Sequence, residues 1–239
     1  MVLTGHAQSI ESPNRQLNLT FHVDNGIPYY SLLYKGKIII EKSRLGFEMK
    51  NIPSMVDNFS ILKSSTSAFD ETWEPVWGEV KKIRNQYNEL EITLEQGSPK
   101  RTVIIRFRLY DDGLGFRYEF PNQKNLSYFT IAEEITQFNL GKDYTAFWIR
   151  GDYDTNEYNY TTSLLSEVSH QIDAATEEIS AQTPTKEISV QTPLMLKGNG
   201  VYINIHEAAL KDYPAMLLEL DSTGVILSTH LTPDPLGGK

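Results

Sequence analysis

Alternation of apolar and polar residues dominates the chain from residue 17 onward. Leu17–Val23 alternates cleanly and ends at a turn signal, Asp24-Asn-Gly26. Because successive side chains on a strand point to opposite faces, such a segment predicts a half-buried β-strand. The dipeptide Lys35-Gly36 predicts a second turn, which closes a hairpin between Tyr29–Tyr34 and Lys37–Ile40.

The strongest hairpin signal lies in the middle of the chain. Arg101–Tyr110 and Phe116–Phe120 flank Asp111–Gly115, a tight acidic turn with two glycines;. Seven further segments have strand-like composition, namely Glu89–Gln96, Tyr128–Glu133, Thr145–Ile149, Pro193–Lys197, Val201–His206, Ala215–Leu220 and Gly224–His230. Many short strands with very little helix predict an all-β fold of the sandwich type.

Residues 161–192 break the alternation and are rich in Ser, Thr, Gln and Glu. Leu164–Ile172 could form a short helix. The rest of this segment predicts a long polar loop that runs over the surface.

The composition restricts the class of protein. At 239 residues the chain is long enough for one large domain, which we favour over two small ones;. Its formal charge of −9 argues against a nucleic acid or an anionic membrane as partner;. The chain has no cysteine, which excludes disulfides and thiolate metal sites;. No apolar run approaches the ~20 residues that span a bilayer, so we expect no membrane insertion.

Glu207 is the most informative single residue. Val201, Ile203, Ile205 and Glu207 share one face of a predicted strand, so a carboxylate ends an apolar row;. A buried carboxylate costs several kcal/mol unless a cation or hydrogen-bond donors meet it. Either Glu207 has such a partner, or the strand has ended and the side chain points to water. Spacing alone favours the second interpretation.

Two segments combine aromatic and polar residues, Thr72–Glu79 and Phe147–Tyr160, and they contain all three tryptophans. Aromatic faces beside carboxylates suit a sugar, whose apolar C–H faces are ringed by hydroxyls. Alternatively each tryptophan fills the core, which we favour for any single one. For the loop Asp152-Tyr153-Asp154 a binding role is favoured, because loops carry sites more often than cores do.

Paired carboxylates and histidines give little evidence of a catalytic site. The doublets Asp111-Asp112, Glu133-Glu134 and Glu177-Glu178 are interpreted as turns or solvated surface, since adjacent strand residues face opposite ways. The five histidines show no metal spacing and no triad arrangement;. His206 and Glu207 are expected to point apart.

Five blocks of sequence together are similar to one family. They are Phe69–Glu79, Ile83–Leu90, Ile105–Phe120, Trp148–Tyr160 and Tyr202–Leu210. The chain resembles the N-terminal domain of glycoside hydrolase family 97, most closely its calcium-dependent, inverting α-glucosidase branch from starch-utilisation systems. The resemblance extends from about residue 10 to residue 236.

The resemblance implies a β-super-sandwich similar to galactose mutarotase, with a few short helices, packed on a (β/α)8 catalytic barrel. It implies that this domain spans residues 10–231 and that 232–239 begins a linker to the barrel. Residues 1–9 would then be a signal-peptide remnant or a disordered terminus. The protein would be periplasmic or secreted by a bacterium.

The resemblance also implies roles for particular residues. Glu207 is expected to bind a calcium ion whose other ligands, like the catalytic acid and base, lie on the barrel. Trp148, Asp152, Tyr153 and His206 are expected to line the substrate site. Arg150 stands where proline is expected in the relatives, and this departure leaves the role of its loop open.

The leading hypothesis is the N-terminal domain of an exo-acting α-glucosidase that hydrolyses short α-glucans. A retaining α-galactosidase of the same family and a free-standing carbohydrate-binding module are alternatives. A mutarotase-like epimerase rests on fold analogy alone. A purely structural scaffold is the remaining hypothesis.

Overall fold

The computed structural model describes residues 7–172 and 188–234. The first nine strands are β1 (Gln8–Glu11), β2 (Leu17–Asp24), β3 (Ile27–Tyr34), β4 (Lys37–Arg44), β5 (Phe47–Met49), β6 (Phe59–Trp73), β7 (Ile83–Gln96), β8 (Arg101–Leu109) and β9 (Leu114–Glu119). The later strands are β10 (Ile131–Glu134), β11 (Gln137–Asn139), β12 (Thr145–Trp148), β13 (Thr161–Leu164), β14 (Ser189–Gln191), β15 (Leu194–Gly198), β16 (Val201–Ile205), β17 (Met216–Leu220) and β18 (Ile226–Leu231). Helix in these residues is limited to α1 (Val168–Gln171) and two single turns, Lys124–Leu126 and Leu165–Glu167.

The predicted all-β fold class is confirmed. The described residues divide into two compact units, 7–42 with 57–128, and 43–56 with 129–172 and 188–234. The first strand includes Gln8 and Ser9, so ordered structure begins before the predicted domain boundary at residue 10. Residues 1–6 of the proposed terminus, and most of the proposed linker, lie outside the described residues.

The first unit contains two four-stranded sheets, in the orders β1-β2-β3-β4 and β6-β7-β8-β9. Phe21 and Tyr30 from the first sheet contact Phe107 of the second, with ring centroids 6.0 and 6.2 Å apart. Strand β8 alternates strictly between buried and half-buried residues. The aromatic rings of the two inner faces therefore form the core of a β-sandwich within this unit.

Both predicted early hairpin turns are present. Asn25 and Gly26 have φ of 51° and 80°, and Lys35 and Gly36 have 51° and 74°. Two consecutive positive φ angles are those of a type I′ turn, which matches the twist of the flanking strands. A side chain at Gly26 would also place its Cβ 2.8 Å from the Asn58 nitrogen, so this turn requires glycine;.

The second unit contains sheets in the orders β11-β18-β17-β14 and β13-β12-β15-β16, and the pair β10-β5. Trp148 is 0% exposed, and its indole N–H donates to the Ser163 hydroxyl at 3.1 Å. Tyr144, Leu194 and Leu196 are buried with it in this unit. Trp148 therefore has a core position in this unit, and its expected role in lining a substrate site stays a prediction.

The prediction of a long surface loop over residues 161–192 is wrong at both ends of that segment. Thr161–Leu164 is a strand that pairs with β12, and Ser189–Gln191 is a buried strand. The short helix predicted at Leu164–Ile172 is confirmed, and its Leu165 and Val168 are fully buried. These apolar residues anchor the segment in the core. Residues 173–187 of the predicted loop lie outside the described residues.

The longest strand, β6, carries no apolar alternation. It forms the edge of its sheet and is exposed over nearly its whole length. Trp73 and Trp77, at and just beyond its end, are 47% and 88% exposed. The interpretation that each tryptophan fills the core is therefore confirmed for Trp148 and wrong for these two.

The contrast between Trp148 and Trp77 leads to a stability prediction. Trp148→Ala should lower the free energy of unfolding by about 3–5 kcal/mol, because it leaves a cavity in the core. Trp77→Ala, the matched control, should change it by less than about 0.5 kcal/mol. Urea unfolding followed by circular dichroism measures both. Equal losses in the two variants would contradict the assignment of Trp148 to the core.

Candidate functional site

The candidate site lies at the end of β16 in the second unit. Ile203 is half-buried and Ile205 is buried, whereas Tyr202, Asn204 and His206 are exposed. Glu207 is half-buried, in register with the inward row. The predicted sharing of faces is therefore confirmed, and the carboxylate continues the apolar side of the strand.

Both carboxylate oxygens of Glu207 have donors within the chain. Oε1 accepts a hydrogen bond from the Met216 backbone N–H at 2.6 Å, and Oε2 accepts one from the Thr192 hydroxyl at 2.5 Å. The prediction that the side chain simply points to water is thus wrong. Each carboxylate oxygen can accept two bonds, so these contacts orient Glu207 and leave room for further ligands.

His206 is exposed on the opposite face of the strand. Its Nδ1 lies 2.7 Å from the Glu207 carbonyl oxygen, which fixes the ring beside the backbone. This contact agrees with the expectation that His206 and Glu207 point apart. A role for His206 in lining a substrate site stays a prediction.

The loop that follows Glu207 has an unusual backbone. Ala209 and Asp212 have φ of 53° and 54°, in the left-handed region. This conformation is uncommon for residues other than glycine and costs Ala209 about 1–2 kcal/mol. Between them, Leu210 is 51% exposed. Strained residues of this kind cluster at functional sites, where the surrounding contacts hold them in place.

Tyr213 anchors this loop to a buried carboxylate. Its hydroxyl donates to Glu134 Oε2 at 2.5 Å, and the Thr136 hydroxyl donates to Oε1 at 2.6 Å. Burial raises the pKa of the Glu134 carboxyl, and the two hydroxyl donors oppose this shift only in part;. Burial and the Glu134 carboxylate raise the pKa of Tyr213. The assignment of Glu133-Glu134 to turn or solvated surface is therefore wrong for Glu134.

Tyr153, predicted to line the site, contacts a buried histidine. Its hydroxyl is 2.6 Å from Nε2 of His230, and the two ring centroids are 5.8 Å apart. Nδ1 of His230 is 3.7 Å from Glu133 Oε2. Tyr153 is half-buried, and its role as a site residue stays a prediction.

Asp152 has a structural role in its loop. It is buried, and its Oδ1 accepts hydrogen bonds from the backbone N–H groups of Asp154 and Thr155. Oδ2 accepts from the Tyr158 hydroxyl at 2.7 Å. Desolvation and this bond raise the pKa of Tyr158 to about 12. Its oxygens accept bonds from the loop itself, and its expected role in lining a substrate site stays a prediction.

Arg150, the departure from the expected proline, is bound to the same unit. Its guanidinium donates to the Ile172 carbonyl at 3.3 Å, and its own carbonyl accepts from the Gln191 amide at 3.0 Å. Arg150 also forms a bridge with Val190. It therefore joins the loop after β12 to β14.

No group of three or more histidine or acidic residues that could hold a metal occurs within residues 7–172 and 188–234. Glu207 could give a calcium ion one or two of the six to eight oxygens that it needs. A calcium site that included Glu207 would therefore need its remaining ligands from elsewhere. In the same residues, no helix is long and apolar enough to cross a membrane.

Comparison with known proteins decides the family. A model of the N-terminal region of glycosyl hydrolase 97 matches residues 10–233. The chain belongs to this family. A solved family 97 enzyme from Pseudoalteromonas sp. strain K8, in complex with acarbose, is 32% identical with a TM-score of 0.80 over 97% of this chain. A second structure of that enzyme, in complex with panose, gives the same identity, TM-score and coverage.

A retaining α-galactosidase from Bacteroides thetaiotaomicron is 23% identical over 95% of this chain. This chain covers 32% of that protein and 33% of the Pseudoalteromonas enzyme, and so spans about a third of their length. The likeness confirms the predicted family and its β-super-sandwich fold class.

The family resemblance points to Glu207 as a candidate site residue. The residues that donate hydrogen bonds to it have no local signal in the sequence. Thr192 lies 15 residues before Glu207, and Met216 lies nine residues after it. Tyr213 and Glu134 are 79 residues apart. These pairs form only when the strands assemble.

Glu134 leads to a prediction of pH dependence. Its pKa is higher in the folded than in the unfolded protein, so its contribution to stability is full below the unfolded value, about 4.3, and is lost as pH rises through the folded value;. Glu134→Gln carries no such charge. The variant should therefore gain stability relative to the wild type between about pH 4.5 and about pH 8.

Urea unfolding at both pH values tests this expectation. Glu219→Gln, which removes a half-buried carboxylate from β17, is the matched control and should show no such gain. A constant difference between Glu134→Gln and the wild type would show that the Glu134 pKa does not change on folding.

Proposed function

We propose that this chain is the N-terminal domain of an exo-acting α-glucosidase that hydrolyses short α-glucans. The observation that carries the proposal is Glu207, a carboxylate in register with a buried strand face and oriented by two donors. The domain packs on a (β/α)8 catalytic barrel and supplies Glu207 to a calcium ion there. The catalytic residues lie on the barrel.

The role of this chain is to hold one oxygen ligand in place. The Met216 N–H and the Thr192 hydroxyl orient the Glu207 carboxylate, and the Tyr213 hydroxyl ties the loop after it to Glu134. Supporting hydrogen bonds of this kind orient a ligand before the metal binds. Calcium, when bound, supplies a fixed positive charge that positions or polarises oxygen atoms near the scissile bond.

The substrate class is inferred from the relatives. Panose is a trisaccharide of α-linked glucose, and the Pseudoalteromonas enzyme that binds it is 32% identical to this chain. An inverting mechanism would place its two catalytic carboxylates roughly 6.5–9.5 Å apart, with room for water. We place the protein in the bacterial periplasm or outside the cell, where α-glucan oligosaccharides are taken up.

A second candidate is the N-terminal domain of a retaining α-galactosidase. The observation that favours it is the similarity to the Bacteroides α-galactosidase, which extends over 95% of this chain. The residues that choose between the two mechanisms are on the barrel, so Glu207 is compatible with both.

Calcium titration calorimetry tests the role of Glu207. We expect the full-length enzyme to bind calcium and this chain alone to show no saturable binding, because one carboxylate is too few ligands. Glu207→Gln in the full-length enzyme should weaken binding by at least about tenfold, the loss that even a supporting group around a metal causes. Glu219→Gln is the control and should bind as the wild type does.

Two results would overturn the calcium role. One is tight binding by this chain alone. The other is unchanged affinity in the full-length Glu207→Gln variant, which would reduce the domain to a scaffold.

Hydrolysis of nitrophenyl glycosides by the full-length enzyme tests the substrate class. We expect the α-glucoside to be cleaved and the α-galactoside to be left intact, with the β-anomer of glucose as the first product. Preferential cleavage of the α-galactoside with retention would establish the second candidate instead.

A further inference from the structure

A part of the first unit extends beyond its sheet. Strands β6 and β7 pair from Phe59 and Gln96 as far as Trp73 and Ile83, but β8 pairs with β7 only up to Asn88. Beyond that point the described residues form a two-stranded ribbon. We call residues 69–87, the ribbon with its connecting loop, the β6–β7 arm. A two-stranded hairpin is marginally stable in water without further packing.

The arm exposes large apolar side chains. Val76 is 100% exposed and Trp77 is 88% exposed in the connecting loop, with Trp73 and Ile83 paired directly behind them. Val80 is exposed in the same loop. Scattered apolar residues are normal on a surface, but several large ones on one short loop are typical of an interaction site.

Specific contacts hold the arm in shape. Arg84 donates two hydrogen bonds to the Asp70 carboxylate across the strands, at 2.8 and 2.6 Å. At the base of the arm, the Phe69 and Tyr87 rings stack with centroids 5.2 Å apart, and the Arg108 guanidinium lies 4.5 Å from the Tyr87 centroid. Such cross-strand pairs stabilise a ribbon, so the tip is presented on a built support.

The chemistry of the tip favours a protein surface over a sugar. Val76, Val80 and Ile83 are aliphatic and offer no hydrogen bonds to hydroxyls, whereas apolar and aromatic residues together are typical of the core of a protein interface. Glu74, Glu79, Lys81 and Lys82 lie in the same loop as the apolar residues, so charges of both signs accompany the tip. A mixed rim around an apolar centre is the arrangement of a docking site.

The relatives indicate what covers it. A domain of this size makes up 32–33% of the length of the solved and curated relatives, so about two-thirds of each is further polypeptide. We propose that the tip of the β6–β7 arm docks on an apolar patch of the catalytic part of the same enzyme. This inference rests on the proposed function, because it takes the chain as the N-terminal domain of such an enzyme.

Hydroxyl-radical footprinting with mass spectrometry tests the docking residue by residue. Trp77 should be oxidised rapidly in this chain alone and at least about tenfold more slowly in the full-length enzyme, since contact removes it from solvent. Trp148 is the internal reference and should be protected in both. Equal oxidation of Trp77 in the two proteins would overturn the proposal.

Two further outcomes of the same measurement would also overturn it. Protection of Trp77 in the isolated chain that grows with protein concentration would identify a second copy as the occupant. Protection in the isolated chain by saturating maltotriose would identify the tip as a sugar-binding platform.

Variants separate docking from folding. The double variant Val76→Ser and Trp77→Ser should lower the thermal midpoint of the full-length enzyme by several degrees and leave that of the isolated chain unchanged. Tyr128→Ser, at a 90% exposed aromatic residue of the same unit outside the arm, is the control and should change neither. An unchanged midpoint of the full-length double variant would contradict the proposal.

The footprint requires neither calcium nor activity. If Glu207→Gln left calcium binding by the full-length enzyme unchanged while Trp77 stayed protected, the calcium role would be refuted and the docking would stand. Exposure of Trp77 in an enzyme whose calcium binding depends on Glu207 would refute the docking alone.

Discussion

A β-strand sends successive side chains to opposite faces, and the position of Glu207 depends on this constraint. In β16 the half-buried and buried isoleucines Ile203 and Ile205 fix which face is inward, and Glu207 follows in the same register;. A shift of one residue would turn His206 inward and direct the carboxylate to water. The packing of an ordinary strand thus determines where the Glu207 carboxylate is presented.

The same constraint explains how much of the fold could be predicted from the sequence. Strands with one face in the core, such as β2 and β8, alternate in polarity and were predicted within a residue or two of their observed ends. Strand β6 is an edge strand exposed on nearly every residue, so its sequence has no alternation of apolar and polar residues from which a strand could be predicted. The buried strand β14 has only three residues, too few for a period to be recognised;.

The candidate site could be predicted from the sequence only in part, for a different reason. A polar residue is informative only with its partner, and here the partners are distant in the chain, as Thr192 and Met216 are from Glu207. The same holds for Glu134, which local sequence places on the surface and whose hydroxyl donors bury it. Trp148 and Trp77 show that residue type is equally ambiguous, because aromatic chemistry suits a core, a sugar and an interface alike;.

Glu207 and the β6–β7 arm have one physical property in common, although they lie in different units. Each is held in a defined geometry by contacts within its own unit, and each keeps capacity for further contact: free acceptor sites on a carboxylate in one case, apolar surface in the other. A domain loses stability by holding such groups in place, and without a binding partner nothing offsets this loss. A binding partner recovers that cost, and this is the physical reason behind both proposals: that Glu207 binds a cation and that the tip of the arm docks on a protein surface.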